Sequence, residues 1–202
     1  MESPISREDL QYIQESIRNK YQKVSQSPEG RFFYPTGKKG LAALVYDKAL
    51  VDRLPEEVAA FYCGVGNPFS LGKINPGDQV LDVGCGAGVD TLIAAMMAGP
   101  EGGATGVDIV PEMLARAESN LRLTGLTNVR FELMPGEDLP FPGQTFDVVI
   151  SNGVINLIPD KKSALENILR VLKPGGRLMM ADQVAAGLVQ KDLETRLKNW
   201  FQ

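Results

Sequence analysis

Residues 80 to 88 read Val-Leu-Asp-Val-Gly-Cys-Gly-Ala-Gly, and 20 residues beyond the last of these glycines a second apolar stretch ends in acid, Gly106-Val107-Asp108-Ile109. Val80, Leu81 and Val83 form a short β-branched and apolar run, and three closely spaced glycines then let the backbone turn sharply toward a ligand. Thr91-Leu92-Ile93-Ala94-Ala95-Met96-Met97-Ala98 has helix-forming composition and meets a stop signal at Gly99-Pro100. The pattern is strand, glycine loop, helix, strand-end acid.

A nucleotide-binding βαβ unit holds its ligand at the carboxyl ends of its strands, and an acid about 20 residues on takes ribose hydroxyls. Asp108 occupies that position. The spacing of Gly84, Gly86 and Gly88 is Gly-x-Gly-x-Gly, not the Gly-x-Gly-x-x-Gly of dinucleotide sites, and Asp82 precedes it. A carboxylate in that turn repels a pyrophosphate and favours a cationic ligand. S-adenosylmethionine, with an ammonium and a sulfonium, is such a ligand.

The chain has 202 residues, 44% hydrophobic and 23% charged, enough for one domain with a sizeable core and a small appendage. A net charge of -4 provides no basic footprint for nucleic acid. No stretch approaches the ~18 uninterrupted apolar residues of a membrane span, and the first residues do not read as a secretory leader, so a cytoplasmic setting is expected. Histidine is absent and there are two cysteines, Cys63 and Cys85, which excludes serine-histidine triads, histidine-bearing zinc sites and a four-thiolate site within one chain. No metal is expected.

Ser6-Arg7-Glu8-Asp9 reads as a capping box, and Leu10, Ile13, Ile17, Tyr21 and Val24 recur at helical steps, predicting an amphipathic helix over 6–25 that caps or lids the main domain. An irregular connection follows to Gly40, then a helix over about 41–53 and a short third one opened by Pro55. Residues 1–60 are therefore expected to form a helical cap and 61–202 the ligand-binding domain. Strands are predicted near 79–83, 104–108, 129–133, 146–151 and 176–182, with helices over 89–98, 111–123 and 161–172. Such alternation gives an α/β fold, a parallel sheet with helices on both faces. A last helix is expected from Leu188 to Trp200.

Five segments in order resemble the class I methyltransferases: 76–88 their first motif, 106–113 their second, Gly136-Glu137-Asp138-Leu139-Pro140-Phe141 the adenine-side loop, 146–152 the fourth strand, and Leu172-Lys173-Pro174-Gly175-Gly176 the entry to the fifth. The resemblance implies a Rossmann-like fold binding S-adenosylmethionine and methylating a small molecule. It implies that Asp82, Gly84, Cys85, Gly86 and Gly88 hold the methionine end, Asp108 the ribose, and Ile109 and Met113 the adenine faces. Gly136 and Glu137 take the adenine edge, where family members often carry an acid and this chain has Pro135-Gly136. Asn152 faces the methionine moiety or the reaction space, or else forms a strand-end turn. The usual seven-stranded sheet would here lack its last two strands, so a dimer or a partner chain is expected over the edge of the fifth.

Ser151-Asn152-Gly153-Val154-Ile155-Asn156-Leu157-Ile158-Pro159-Asp160-Lys161 is similar to a stretch of arsenite methyltransferases, and Tyr62-Cys63-Gly64-Val65-Gly66-Asn67-Pro68 resembles their cysteine-glycine loop. Cys63 falls on one of their cysteine positions, while Gly153 stands where they carry another. Cys63 is thus either a group on the acceptor side or a structural thiol, and the acceptor is arsenite or another small molecule. The alternative to an enzyme is a cofactor-binding module that needs a partner or a further domain for turnover.

Overall fold

The computed structural model describes residues 6–184. The helix expected over Leu188–Trp200 lies outside them. Five parallel strands, β1 (Gln79–Val83), β2 (Gly103–Asp108), β3 (Val129–Leu133), β4 (Phe146–Asn152) and β5 (Leu172–Ala181), stand in the order β3-β2-β1-β4-β5. The order reverses between β1 and its neighbours β2 and β4, which places a crevice at the carboxyl ends of these strands.

Alternation along the strands divides the core. Leu81, Val83, Val107 and Val149 belong to one cluster with Ala164, Ile168 and Val171 of α7 (Lys161–Val171). Val80, Ala104, Val148 and Ile150 belong to another with Ala94, Ala95 and Ala98 of α5 (Val89–Ala98). The small alanine side chains bring α5 close to β1 and β2. A further helix, α6 (Pro111–Thr124), starts with proline in its first turn, where the missing N–H costs nothing, and ends at Gly125 in the left-handed conformation.

The N-terminal part begins with α1 (Arg7–Val24), whose capping box is fully formed: Asp9 N–H donates to Ser6 Oγ at 3.1 Å and Ser6 N–H donates to the Asp9 carboxylate at 3.0 Å. The helix packs on α6, where Gln22 donates to Glu112 and Arg116 to the Ser25 carbonyl. Replacing Ser6 by alanine is expected to cost α1 about 1 kcal/mol. Amide exchange in its first turns would accelerate about fivefold, with β1 unchanged, when followed by hydrogen-exchange mass spectrometry.

The helix expected over 41–53 is in fact two, α2 (Gly37–Ala43) and α3 (Lys48–Val51), followed by α4 (Glu56–Ala59). Val45 at φ 55° breaks the run, and Asp47 caps the new helix by accepting from Ala49 N–H at 2.8 Å. The break lets Tyr46 turn inward, where Leu41, Tyr46, Leu54 and Val58 share one core cluster with Val89, Leu92 and Ile93 of α5. The fifth strand also begins earlier than the expected 176, at Leu172. Leu172 pairs with Phe146, the chain bulges through Lys173-Pro174-Gly175-Gly176, and pairing resumes at Arg177 opposite Val148. Among the described residues β5 pairs only with β4, leaving its other edge open. No helix among them is long and apolar enough to cross a membrane.

Candidate functional site

A cleft of about 1040 Å³, measured out to its open mouth, lies at the carboxyl ends of β1, β2 and β4. Its floor is the turn after β1. Gly84 and Cys85 both donate their N–H to the Val107 carbonyl, at 2.8 and 2.9 Å, which folds the turn back onto the end of β2. Gly84 sits at φ 75°, and a Cβ there would lie 2.3 Å from the Val154 side chain. Glycine is needed at 84 because Val154 above it leaves no room for a side chain.

Asp108 closes the turn from the other side. One carboxylate oxygen accepts from Gly86 N–H at 2.8 Å and the other from Val110 N–H at 2.9 Å. These bonds orient the group and leave each oxygen a second lone pair for a ligand donor. Desolvation raises the Asp108 pKa, and the backbone N–H bonds oppose the rise. Ile109, Met113, Gly136 and Glu137 line the cleft beside it.

Of the residues expected from the sequence, Cys63, Asp82, Gly84, Cys85, Gly86, Asp108, Ile109, Met113, Gly136, Glu137 and Asn152 all line this one cleft. Gly88 does not. It is the N-cap of α5, and a Cβ on it would lie 2.7 Å from Phe131, so its smallness serves helix-to-sheet packing beneath the site. Asp82 is buried and accepts from the Thr91 hydroxyl at 2.6 Å, and burial pushes its carboxyl well above the usual range. Gly153, at φ 74°, has Val65 about 3.2 Å from where a Cβ would stand.

Asn152 does more than line the wall. Its Oδ1 accepts from Val65 and Gly66 N–H at 2.8 and 3.1 Å, and its Nδ2 donates at 2.9 Å both to the Gly66 carbonyl and to Asp90. A Cβ on Gly64 would fall 2.2 Å from that nitrogen, so only glycine lets the 62–66 loop approach. Asp90 escaped the sequence reading, although one acid in the first turn of an otherwise apolar helix is a visible signal. It is 8% exposed, and its second oxygen accepts from the Tyr46 hydroxyl at 2.8 Å. Gln14, Ile17 and Tyr21 of α1 and Phe61 also line the cleft, and no local sequence signal marks them as site residues.

Burial raises the Asp90 pKa to about 6, against the pull of Asn152 and Tyr46. Its folded value therefore lies above its unfolded one, and the resulting penalty on the native state grows as pH rises from about 4 to 6. The native protein is expected to gain about 1 kcal/mol relative to Asp90→Asn on going from pH 7 to pH 5. Paired urea titrations at the two pH values measure this difference. Cys63, partly exposed on the cleft wall, has its thiol pushed up to about 12, chiefly by desolvation, with Asp90 and Asp108 adding and Lys20 opposing.

The cleft thus joins a bare glycine turn, an oriented carboxylate at the end of β2, an apolar slot and further buried carboxylates, with no lysine or arginine in its described lining. That donor set fits a nucleoside carrying positive charge. A family model described as a methyltransferase domain matches residues 74–202. The chain belongs to this methyltransferase family. Its doubly wound sheet is the Rossmann-like fold of the class I members, as expected.

The methyltransferase chain is 38% identical over 183 residues to the arsenite methyltransferase of Aquipseudomonas alcaligenes, covering 86% of this chain and 51% of that protein. It is 40% identical over 131 residues to that of Halobacterium salinarum, covering 65% of this chain and 34% of the other. Among solved structures, an arsenic (III) S-adenosylmethionine methyltransferase from Chlamydomonas reinhardtii superposes with a TM-score of 0.60 at 40% identity, over 66% of this chain and 47% of that one. The chain spans a third to a half of the length of the curated relatives it matches.

Proposed function

We propose that the chain binds S-adenosylmethionine in this cleft and catalyses transfer of its methyl group to a small-molecule acceptor. The observation that carries this reading is Asp108, fixed by backbone N–H groups against the glycine turn on the wall of the cleft. Its carboxylate accepts from the ribose hydroxyls. Ile109 and Met113 take the adenine faces, and the Gly136 backbone with Glu137 its edge. The turn from Asp82 to Gly86 faces the methionine end, where buried carboxylates favour a cation.

S-adenosylmethionine supplies a methyl group already activated on a sulfonium sulfur. The chain contributes alignment and exclusion of water. Ile17, Tyr21 and Phe61 shield the cleft, so the N-terminal segment acts as a cap. Asp90 and Asn152 are hydrogen-bonded to each other, and Asn152 to the loop. The likeness to arsenite methyltransferases makes arsenite, a soft lone-pair nucleophile that needs no base, the first acceptor to test. Cys63 is the thiol on the acceptor side, and its burial keeps it protonated when no acceptor is bound. The open edge of β5 is where a second copy or another chain would pair.

The test incubates the chain with methyl-labelled S-adenosylmethionine, arsenite and glutathione, then with neutral thiols, amines and enolisable ketones. Labelled product from any acceptor supports the enzyme, and a methylated arsenical identifies arsenite. Binding of the cofactor with no transfer to any acceptor would favour a module that needs further chain for turnover.

A further inference from the structure

Asp90 is a costly residue to keep. A buried carboxylate without a cation loses several kcal/mol of solvation unless hydrogen bonds replace the water. Here the replacements come from far along the chain: the Tyr46 hydroxyl at 2.8 Å and the Asn152 amide at 2.9 Å. The N-terminus of α5, at whose second residue Asp90 stands, adds a favourable dipole.

The Asn152 amide is the centre of the cluster. It can satisfy Val65 and Gly66 N–H only with its oxygen toward the loop, and this turns its nitrogen to Asp90. Asp90 accepts on both oxygens and donates nothing, so it selects that one amide orientation. Tyr62 adds a bond from its hydroxyl to the Gly66 carbonyl at 2.8 Å and lies 3.0 Å from the Tyr46 hydroxyl. Tyr46, Tyr62 and Asn152 all reach the Gly66 carbonyl, and Asp90 links this cluster, and with it the loop that carries Cys63, to the first turn of α5.

We propose that Asp90 is a positioning residue that fixes the 62–66 loop as the acceptor-side wall by holding the Asn152 amide in the one orientation able to bind that loop. The assignment of this wall to the acceptor rests on the methyl-transfer reading. The tie itself does not.

Asp90→Asn removes the charge and leaves one acceptor where there were two, so the Asn152 amide and the Tyr46 hydroxyl can no longer both donate to this side chain. Tyr46→Phe changes no charge and removes the hydroxyl that lies within hydrogen-bond distance of Asp90, the Gly66 carbonyl, Asn152 Nδ2 and the Tyr62 hydroxyl.

Amide exchange of Val65 and Gly66, followed by NMR on the full chain, tests the tie. At least tenfold acceleration is expected in Asp90→Asn and threefold or more in Tyr46→Phe, with the β1 amides unchanged. Val65 and Gly66 exchange within twofold of native in Asp90→Asn or in Tyr46→Phe would overturn the proposal. If Asp90→Asn loosens β1 as well, Tyr46→Phe decides. Calorimetry of the native chain with S-adenosylhomocysteine separates the two ideas, since no binding there removes the methyl-transfer reading and leaves the exchange result standing.

Discussion

Asp108→Ala is expected to weaken S-adenosylhomocysteine binding by about 1.5 to 3 kcal/mol, roughly 10- to 150-fold in Kd. The magnitude is that of hydrogen bonds to a charged group, and the side chain is poised to make two of them. Its geometry is set before any ligand arrives, because Gly86 and Val110 N–H hold both oxygens. Loss of the carboxylate also leaves those two N–H groups facing the cleft, which adds to the cost. Asp108→Asn, which keeps the shape, should fall between alanine and native. Competition binding at fixed ionic strength measures the series, and affinity within twofold of native for Asp108→Ala would remove this residue from the site.

Phe146→Ala is expected to lower stability by about 3 to 5 kcal/mol, the largest effect of any substitution considered. Phe146 is 1% exposed at the start of β4, meets Phe141 edge-on at 5.2 Å, and packs in the cluster that joins the sheet to α7. A large cavity would open where β4 and β5 first pair, and the strands leaving that point carry Asn152. Urea unfolding read by fluorescence and far-ultraviolet circular dichroism reports the loss. A change below 1 kcal/mol would mean that the core does not pass through this ring.

The parts legible in the sequence were those written in local pattern. Val80-Leu81-Asp82-Val83 with its glycines, and Asp108 20 residues on, declare a strand-end site because strand, turn and helix each leave a short-range signature. The capping box at Ser6 is local in the same way. Residues whose meaning depends on distant partners stayed hidden. Asp90 reads as an ordinary first-turn acid until Tyr46, 44 residues away, and Asn152, 62 residues away, are folded against it.

The same reason explains the misplaced boundaries. Nothing in Leu44-Val45-Tyr46 announces a left-handed break, which follows from burying the Tyr46 hydroxyl against Asp90. Lys173-Pro174-Gly175-Gly176 looks like a helix stop before a strand. Only the register against Phe146 shows the strand already begun at Leu172. Gly88 matched the ligand motif by spacing, yet its neighbours Phe131 and Ala117 come from β3 and α6, which no local window contains.

The central claim is that this cleft binds S-adenosylmethionine, and calorimetric titration of the native chain with that compound tests it most directly. The account predicts saturable one-site binding that S-adenosylhomocysteine competes away and that Asp108→Ala weakens at least tenfold. No detectable binding to the folded native chain, or binding that Asp108→Ala leaves unchanged, would contradict it.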